Sequence, residues 1–197
     1  MSKEVKEIRL AGIGVKTDES APEQMIVDGR AIIFNTPTVM YEFDGVKYFE
    51  VIASGALDQC DMSDVVFRYN HSSEKFIMAR TRKGSLQLIK DELGLLISAT
   101  FFNITEARDL FTLIKEGAID KMSFAFTVAE ESYNTETRTR TILKIKKLYD
   151  VAAVDTPAYD DTEISARSFF EVEADKERKT AEAVELRRKK LILLCKM

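Results

Sequence analysis

The chain has 197 residues, 45% of them hydrophobic and 31% charged, and its formal net charge is −4. A chain of this length and composition can bury one sizeable core with room for one appended segment, which argues against a disordered or fibrous protein. Charges of both signs are scattered rather than striped, so the electrostatics give no case for a nucleic-acid partner.

The amino terminus and the cysteines indicate the compartment. Residues 1–7 are rich in charge and lack an apolar signal core, and the longest purely apolar stretches are too short to cross a bilayer. Cys60 and Cys195 lie far apart, with no CxxC motif and one histidine in the chain, which excludes the usual zinc spacings and a disulfide framework. The sequence therefore predicts a soluble protein of a reducing cytoplasm, with no metal and no cofactor.

Short strands dominate the chain up to residue 154. Stretches rich in β-branched and aromatic residues alternate with Gly, Asp, Asn and Pro. The predicted strands are 8–15, 25–34, 46–52, 64–70, 85–89, 95–102, 122–128 and 140–154. Many short strands with few long helices predict a barrel or a sandwich.

One internal helix interrupts the strands. Asn103 to Glu106 resembles a capping box, apolar residues then recur at helical spacing, and Gly117 suits the C-terminal cap. A shorter helix is predicted over 55–61.

The composition changes near Ser168. Residues 171–197 contain eight basic and six acidic residues with no Gly or Pro, which predicts a charged helix outside the β core. This helix could pack on the body or on another subunit through Leu186, Leu191 and Leu194. Its basic end could instead meet a membrane surface or an acidic partner, or the segment could be a removable extension.

The candidate general base is His71, the only histidine, which follows an apolar strand and precedes polar turn residues. Imidazole titrates near neutrality and suits this role, although a lone histidine is also typical of a surface or core position. A histidine base needs a nucleophile, and strand alternation sends Phe124 and Phe126 to the core and Ser123 to a face of small residues. A substrate backbone could approach Ser123 there; an ordinary strand serine would fit the same pattern.

Two acids compete to orient the histidine. Alternation places Asp150 on the same face as Leu148 and Ala152, whereas Asp155 has the opposite parity, and a bulge is predicted at 146–147. An acid within an apolar strand needs a hydrogen-bonded partner, so Asp150 is the better candidate for a buried orienting group. Pairing with a neighbouring lysine would satisfy it equally.

Other reaction classes have weaker support. The acids that flank Cys60 raise the pKa of its thiol, which disfavours a cysteine nucleophile. The carboxylates form no metal-binding loop, and the glycines form neither a phosphate loop nor a dinucleotide fingerprint.

Short motifs in a fixed order run through most of the chain. They are Gly29-Arg30-Ala31, Phe34-Asn35, Glu50-Val51-Ile52, Gly55-Ala56-Leu57, Val65 to His71, Ala79-Arg80-Thr81, Gly84-Ser85-Leu86, Asp91 with Gly94-Leu95, Ile114 to Gly117, Met122 to Phe126, Asp150-Val151 and Thr156-Pro157-Ala158. Over roughly 26–166 this order and spacing resemble the prohead protease family of tailed bacteriophages.

The resemblance implies an α+β fold: a mainly antiparallel β-barrel akin to herpesvirus assemblins, a few surrounding helices and a charged C-terminal helix. Residues 1–167 would form the protease domain, and 168–197 a helical extension removed by autoprocessing. The implied activity is a serine endopeptidase inside the procapsid, in the host cytoplasm. Its implied partners are the scaffold segment of the major capsid protein and itself, with a possible homo-oligomer, and no nucleic acid or membrane. The alternatives are a catalytically inactive capsid-assembly or scaffold module, and an autoprocessing domain without activity in trans.

The resemblance also implies residue roles. The family histidine and serine correspond to His71 and Ser123. The family usually has a glutamate where this chain has Asp150, and Asp155 is a local alternative for the third member. Arg80 matches a family arginine that could face or support the oxyanion site, or form a structural ion pair.

Overall fold

The computed structural model describes residues 6–16, 24–155 and 164–194. Within these residues the chain forms ten strands and two α-helices. The strands are β1 (Glu7–Lys16), β2 (Ile26–Ile33), β3 (Thr38–Phe43), β4 (Val46–Ile52), β5 (Val66–Tyr69), β6 (Ala79–Arg80), β7 (Leu86–Lys90), β8 (Gly94–Thr100), β9 (Lys121–Asn134) and β10 (Thr139–Val154). The helices are α1 (Thr105–Lys115) and α2 (Ile164–Leu194), and Thr81–Lys83 forms a 3₁₀ turn.

All eight predicted strands are present; β4 has the predicted bounds, and the other seven have shifted ends. The sequence did not predict β3 and β6. In β3 only Met40 is buried, so the strand has little apolar alternation, and β6 is two residues long. The short helix predicted over 55–61 is instead a run of turns, in which the amides of Ala56, Asp58 and Cys60 each bond to the carbonyl three residues earlier.

The strands form one mixed sheet, in the order β3-β4-β10-β9-β1-β2-β8-β7, with β5 paired to β10 and β6 paired to β5. The α+β class is confirmed. The closed antiparallel barrel is not what the described residues form, because β4 and β5 both run parallel to β10 and the sheet ends at β3 and β7. The physical reason is the length of β10, whose 16 residues pair with β4 along one half of the strand and with β5 along the other.

The long β9 and β10 hairpin is irregular. Its register shifts at several points, including the step between Ile145 and Lys147, which confirms the bulge predicted at 146–147. Bulges bend and twist a strand pair, so they let one hairpin follow the curvature of the sheet around the core. The core side of this hairpin contributes Phe124, Phe126 and Leu148, each at most 2% exposed.

Helix α1 packs on the core through Ala107, Leu110 and Ile114. Gly117 follows it with φ of 73° and donates its amide to Ile114, as predicted for a C-terminal cap. The predicted capping box is wrong. Asn103 accepts a hydrogen bond from Arg108 instead, so its side chain does not cap the helix.

The first turns of α2 pack on the outer part of the sheet. Phe170 is fully buried beside Tyr48 of β4, and Arg138 donates to Glu177 over 3.0 Å. From residue 178 to residue 190, every position is exposed. The predicted domain boundary near Ser168 thus falls within a helix that both contacts the body and extends beyond it. Of the leucines predicted to pack on a partner, Leu191 and Leu194 lie outside the described side chains.

A buried ionic cluster joins β1 to β4, β9 and β10. Arg9 donates to Glu7 and Glu50, each over 2.6 Å, and Arg140 donates to Glu7 over 2.8 Å and to Glu131. Burial by itself raises the pKa of Glu7, but the hydrogen bond from Arg140 and the charge of Arg9 outweigh it and leave this pKa below its ordinary value. These contacts fix β1, the strand next to the one that carries Ser123.

Candidate active site

His71 lies in a tight left-handed turn at the end of β5. The amide of Ser72 donates to the carbonyl oxygen of Tyr69 over 3.1 Å, and the two residues between them, Asn70 and His71, have φ of 51° and 52°. Left-handed backbone is costly for residues other than glycine, and asparagine is among those that tolerate it best. The amide of Asn70 also donates to Ala153 over 2.9 Å. The turn is therefore attached to β10, the strand that carries Asp150.

The imidazole of His71 pairs with Asp150. Its Nδ1 is hydrogen-bonded to Oδ1 of Asp150, and the two side chains are only 13% and 9% exposed. An ionised carboxylate only accepts hydrogen bonds, so it holds a proton on Nδ1 and leaves Nε2 as the basic nitrogen. This is the arrangement by which an acid orients a histidine base.

Asp150 reaches this face because the strand register shifts just before it. Leu148 lies opposite Phe126, whereas Asp150 lies opposite Ala125, so Tyr149 is an extra residue in β10. Adjacent residues of a strand point to opposite faces. The prediction that Leu148 and Asp150 share a face is therefore wrong: the bulge leaves Leu148 in the core and turns Asp150 to the other side.

Ser123 projects from the same face of the sheet as Asp150. It lies opposite Ala152 of β10, and Ala152 lies opposite Arg68 of β5. Directly opposed residues share a face, and Ala152 is two residues beyond Asp150 in the same strand. The predicted alternation is confirmed, since Phe124 and Phe126 belong to the hydrophobic core cluster whereas Ala125, which shares the face of Ser123, does not.

The two candidate reactive atoms are both buried. Within the described residues, neither Oγ of Ser123 nor Nε2 of His71 has a hydrogen-bond partner, so no hydrogen bond joins them. Buried polar atoms without partners are costly and uncommon, and a catalytic role is one of the reasons for which they persist. The site thus combines an oriented imidazole with a buried serine on the same face of the sheet.

Asp155 has a different set of partners from Asp150. Its carboxylate accepts hydrogen bonds from Oη of Tyr69 over 2.6 Å and from Nδ2 of Asn70 over 2.9 Å. It therefore contacts the turn that carries His71, whereas Asp150 contacts the imidazole itself.

Arg80 forms a two-pronged ion pair with Asp64. Its Nε and Nη2 each donate to one carboxylate oxygen over 2.6 Å, and the hydrogen bond from Arg80 lowers the pKa of Asp64 to about 2. This geometry matches the structural ion pair considered for Arg80.

Cys60 is chemically quiet. Burial, with a smaller contribution from Asp61, raises the pKa of its thiol to about 11, so the thiol is protonated at neutral pH. Across the residues that the structure describes, no group of three or more His, Cys, Asp or Glu side chains could hold a metal ion.

The profile of one protein family matches residues 12–177, and this family is described as the caudovirus prohead serine protease family. The chain belongs to this family. The matched range includes His71, Ser123 and Asp150 and ends within α2. No curated protein and no solved structure matches the chain significantly.

As a member of the prohead serine proteases, the chain belongs among the hydrolases of phage capsid maturation. The family implies a place within the procapsid in the host cell and contact with capsid proteins. No helix in the described parts of the chain is long and apolar enough to cross a membrane.

Two residues around His71 were not among the predicted site residues. Asn70 forms the first left-handed position of the turn, and Arg68 donates from Nη1 to the carbonyl oxygen of Ser72 over 2.8 Å. An asparagine directly after a strand is a turn signal, so Asn70 could have been recognised. The contact of Arg68 depends on how the chain folds back, which no local pattern indicates.

Proposed function

We propose that the chain hydrolyses peptide bonds with Ser123 as nucleophile, His71 as general base and acid, and Asp150 as the group that orients the imidazole. The observation that carries this proposal is the contact of Asp150 with Nδ1 of the only histidine, on the sheet face from which Ser123 projects. The family supports a serine protease, and the roles of these three residues are our assignment.

The proposed chemistry follows from Nε2 of His71, the ring nitrogen that Asp150 does not contact. A lone pair on Oγ of Ser123 forms a bond to the scissile carbonyl carbon while its proton passes to Nε2 of His71, and the carbonyl π electrons move to the oxygen. Collapse of this intermediate breaks the carbon–nitrogen bond, and His71 returns its proton to the departing amine. Water then attacks the acyl enzyme by the same route and releases Ser123.

A substrate must open the site before this sequence begins. Ser123 is 0% exposed, and within the described residues its Oγ has no hydrogen bond to His71. A bound peptide backbone would displace whatever covers the serine and bring the two reactive atoms into hydrogen-bond range, since catalytic hydrogen bonds commonly tighten only in the complex. The Nε and Nη2 donors of Arg80 already hold the carboxylate of Asp64, so we assign the stabilisation of the oxyanion to backbone amides rather than to Arg80.

The proposed substrates are the scaffold segment of the major capsid protein and the chain itself. Cutting the chain near the start of α2 would release the body from partners held by the helix. The proposal that capsid protein is a substrate rests on the family, and the proposal of self-cleavage rests on the change in composition near Ser168.

The test is cleavage of the matching capsid protein by the wild type, Ser123→Ala and His71→Ala, with circular dichroism to check each fold. We expect each variant to lose several orders of magnitude in rate, because members of a triad act as a unit. Cleavage at near the wild-type rate by either variant would exclude the assignment.

The second candidate is a catalytically inactive assembly module. The absence of a hydrogen bond between Ser123 and His71 within the described residues favours it. Such a module would bind capsid protein with the same affinity in wild type and Ser123→Ala and would cut it in neither, so a binding measurement beside the cleavage assay distinguishes the two functions.

A further inference from the structure

The turn that carries His71 is held by side chains on both flanks. On one flank, Asp155 accepts from Tyr69 and Asn70, and its own amide donates to Oδ1 of Asn70 over 3.3 Å. Asn70 and Asp155 are therefore linked by two hydrogen bonds, one between their side chains and one from the amide of Asp155 to the side chain of Asn70. On the other flank, Arg68 donates to the carbonyl oxygen of the residue after His71.

These contacts matter because the turn adopts an unfavourable backbone. Two successive residues that are not glycine are left-handed, which sterics disfavour, and such positions persist when the surrounding structure over-determines them. Asn70 tolerates this conformation well, whereas the backbone of His71 has no side-chain support of that kind. Held in this way, the turn directs the imidazole back over β10, where it meets Asp150.

We propose that Asp155 is a positioning residue for His71, which it holds through Asn70 and Tyr69. It does not touch the imidazole, and its effect would pass through the geometry of the turn. The inference deepens the proposed function, because it assigns a second acid of the same strand to the same base.

The state of Tyr69 agrees with this role. The hydrogen bond to Asp155 is the largest cause of a raised pKa for the Tyr69 hydroxyl, followed by burial. The hydroxyl thus remains protonated at neutral pH and keeps its donor for the carboxylate.

The single histidine makes the proposal measurable without activity. In protein that carries no histidine tag, the ¹⁵N-edited spectrum of imidazole groups contains the signals of His71 alone, and these report its tautomer and the hydrogen-bonded proton on Nδ1. The variants are Asp155→Ala, which removes both side-chain bonds, and Tyr69→Phe, which removes one. The control is Asp58→Ala, which breaks an exposed ion pair with Lys90 on a different part of the surface.

We expect Asp155→Ala to convert the spectrum of His71 from one tautomer to an averaged pair and to abolish the protected Nδ1 proton. The kcat for capsid protein should fall about ten- to a hundred-fold with KM unchanged, and Tyr69→Phe should show a smaller change of the same kind. Asp58→Ala should match the wild type in both readouts.

A wild-type imidazole spectrum in folded Asp155→Ala would overturn the proposal. If Asp155→Ala does not fold, a wild-type imidazole spectrum in Tyr69→Phe would overturn it. The proposed function fails separately: a wild type that never cuts capsid protein, together with a spectrum that still changes in Asp155→Ala, would refute catalysis and leave the positioning role supported.

Discussion

Gly29 of β2 and Met122 of β9 approach so closely that a methyl group on Gly29 would lie 2.8 Å from the sulfur of Met122. The same methyl group would lie 2.9 Å from the carbonyl oxygen of Gly12 in β1. Both distances are shorter than van der Waals contact. β1 lies between β2 and β9, and the lack of a side chain at Gly29 leaves room there for the side chain of Met122. Met122 directly precedes Ser123.

The first prediction concerns this contact. Gly29→Ala should reduce the free energy of unfolding by about 1–3 kcal/mol, the usual cost of overpacking, and lower the rate of cleavage because Met122 must shift next to the nucleophile. Denaturant unfolding and capsid-protein cleavage measure the two effects. Gly14→Ala is the matched control, because a methyl group at Gly14 meets no atom within 4 Å. Equal stability of the two variants would contradict the prediction.

The second prediction concerns the backbone of His71. His71→Gly and His71→Ala both remove the imidazole and leave Asp150 without it, but only glycine adopts the left-handed turn without strain. We expect His71→Gly to be more stable than His71→Ala by about 1 kcal/mol, seen as a Tm higher by roughly 2–4 °C. Thermal unfolding of both variants decides this. A lower Tm for the glycine variant would show that the turn is not strained.

The third prediction separates the two acids of β10. Asp150→Asn should lower kcat by roughly 10²- to 10⁴-fold because the imidazole loses the acceptor that fixes its tautomer. Asp155→Asn should do much less, since an amide oxygen still accepts from Tyr69. Kinetics on the same capsid substrate compare them, and a larger effect at Asp155 would transfer the orienting role to it. If neither substitution mattered, the enzyme would work with Ser123 and His71 alone.

The fourth prediction concerns acid stability. Because the folded state lowers the pKa of Glu7, its ion pairs stabilise the fold fully above the ordinary value of 4.5 and are lost as the pH falls below it. The free energy of unfolding should therefore decrease below about pH 4.5 in the wild type and decrease less steeply in Glu7→Gln. Urea unfolding at a series of pH values tests this. Parallel curves for the two proteins would mean that Glu7 contributes nothing to the acid sensitivity.

The fifth prediction concerns the charged helix. Wild-type protein held at high concentration should lose its C-terminal segment, whereas Ser123→Ala should keep it, because an exposed extension is the part of the chain most accessible to another active site. Intact-mass measurement identifies the cut. If Met197 remains after the capsid scaffold has been fully cleaved, the segment is a permanent part of the protein.

The position of that cut would also define the body. A cut before Phe170 would remove this ring and expose Tyr48, whereas a cut after Glu177 would keep the contacts of Phe170 with Tyr48 and of Glu177 with Arg138. The family match ends at 177 as well. The measured mass distinguishes the cut near Ser168 that the composition predicts, which lies before Phe170, from a cut after Glu177.

Local pattern determined a large part of this protein. Strand alternation alone predicts that Phe124 and Phe126 face the core and that Ser123 faces the opposite side, because successive side chains of a strand point to opposite faces. The change from strand to turn residues alone indicates His71 as a candidate. The glycine cap of α1 was predictable for the same reason, since Gly117 needs only its own positive φ.

The tertiary structure decided what depends on distant partners. The extra residue before Asp150 arises from the pairing of β10 with β9. Alternation within β10 alone therefore predicted that Asp150 shares a face with Leu148, whereas the pairing with Ala125 places it on the opposite face. The division of labour between Asp150 and Asp155 arises because a turn some 80 residues earlier, at His71, folds back onto β10. The mixed sheet arises in the same way, because parallel pairing joins segments that are far apart in the sequence and therefore has no local pattern of its own.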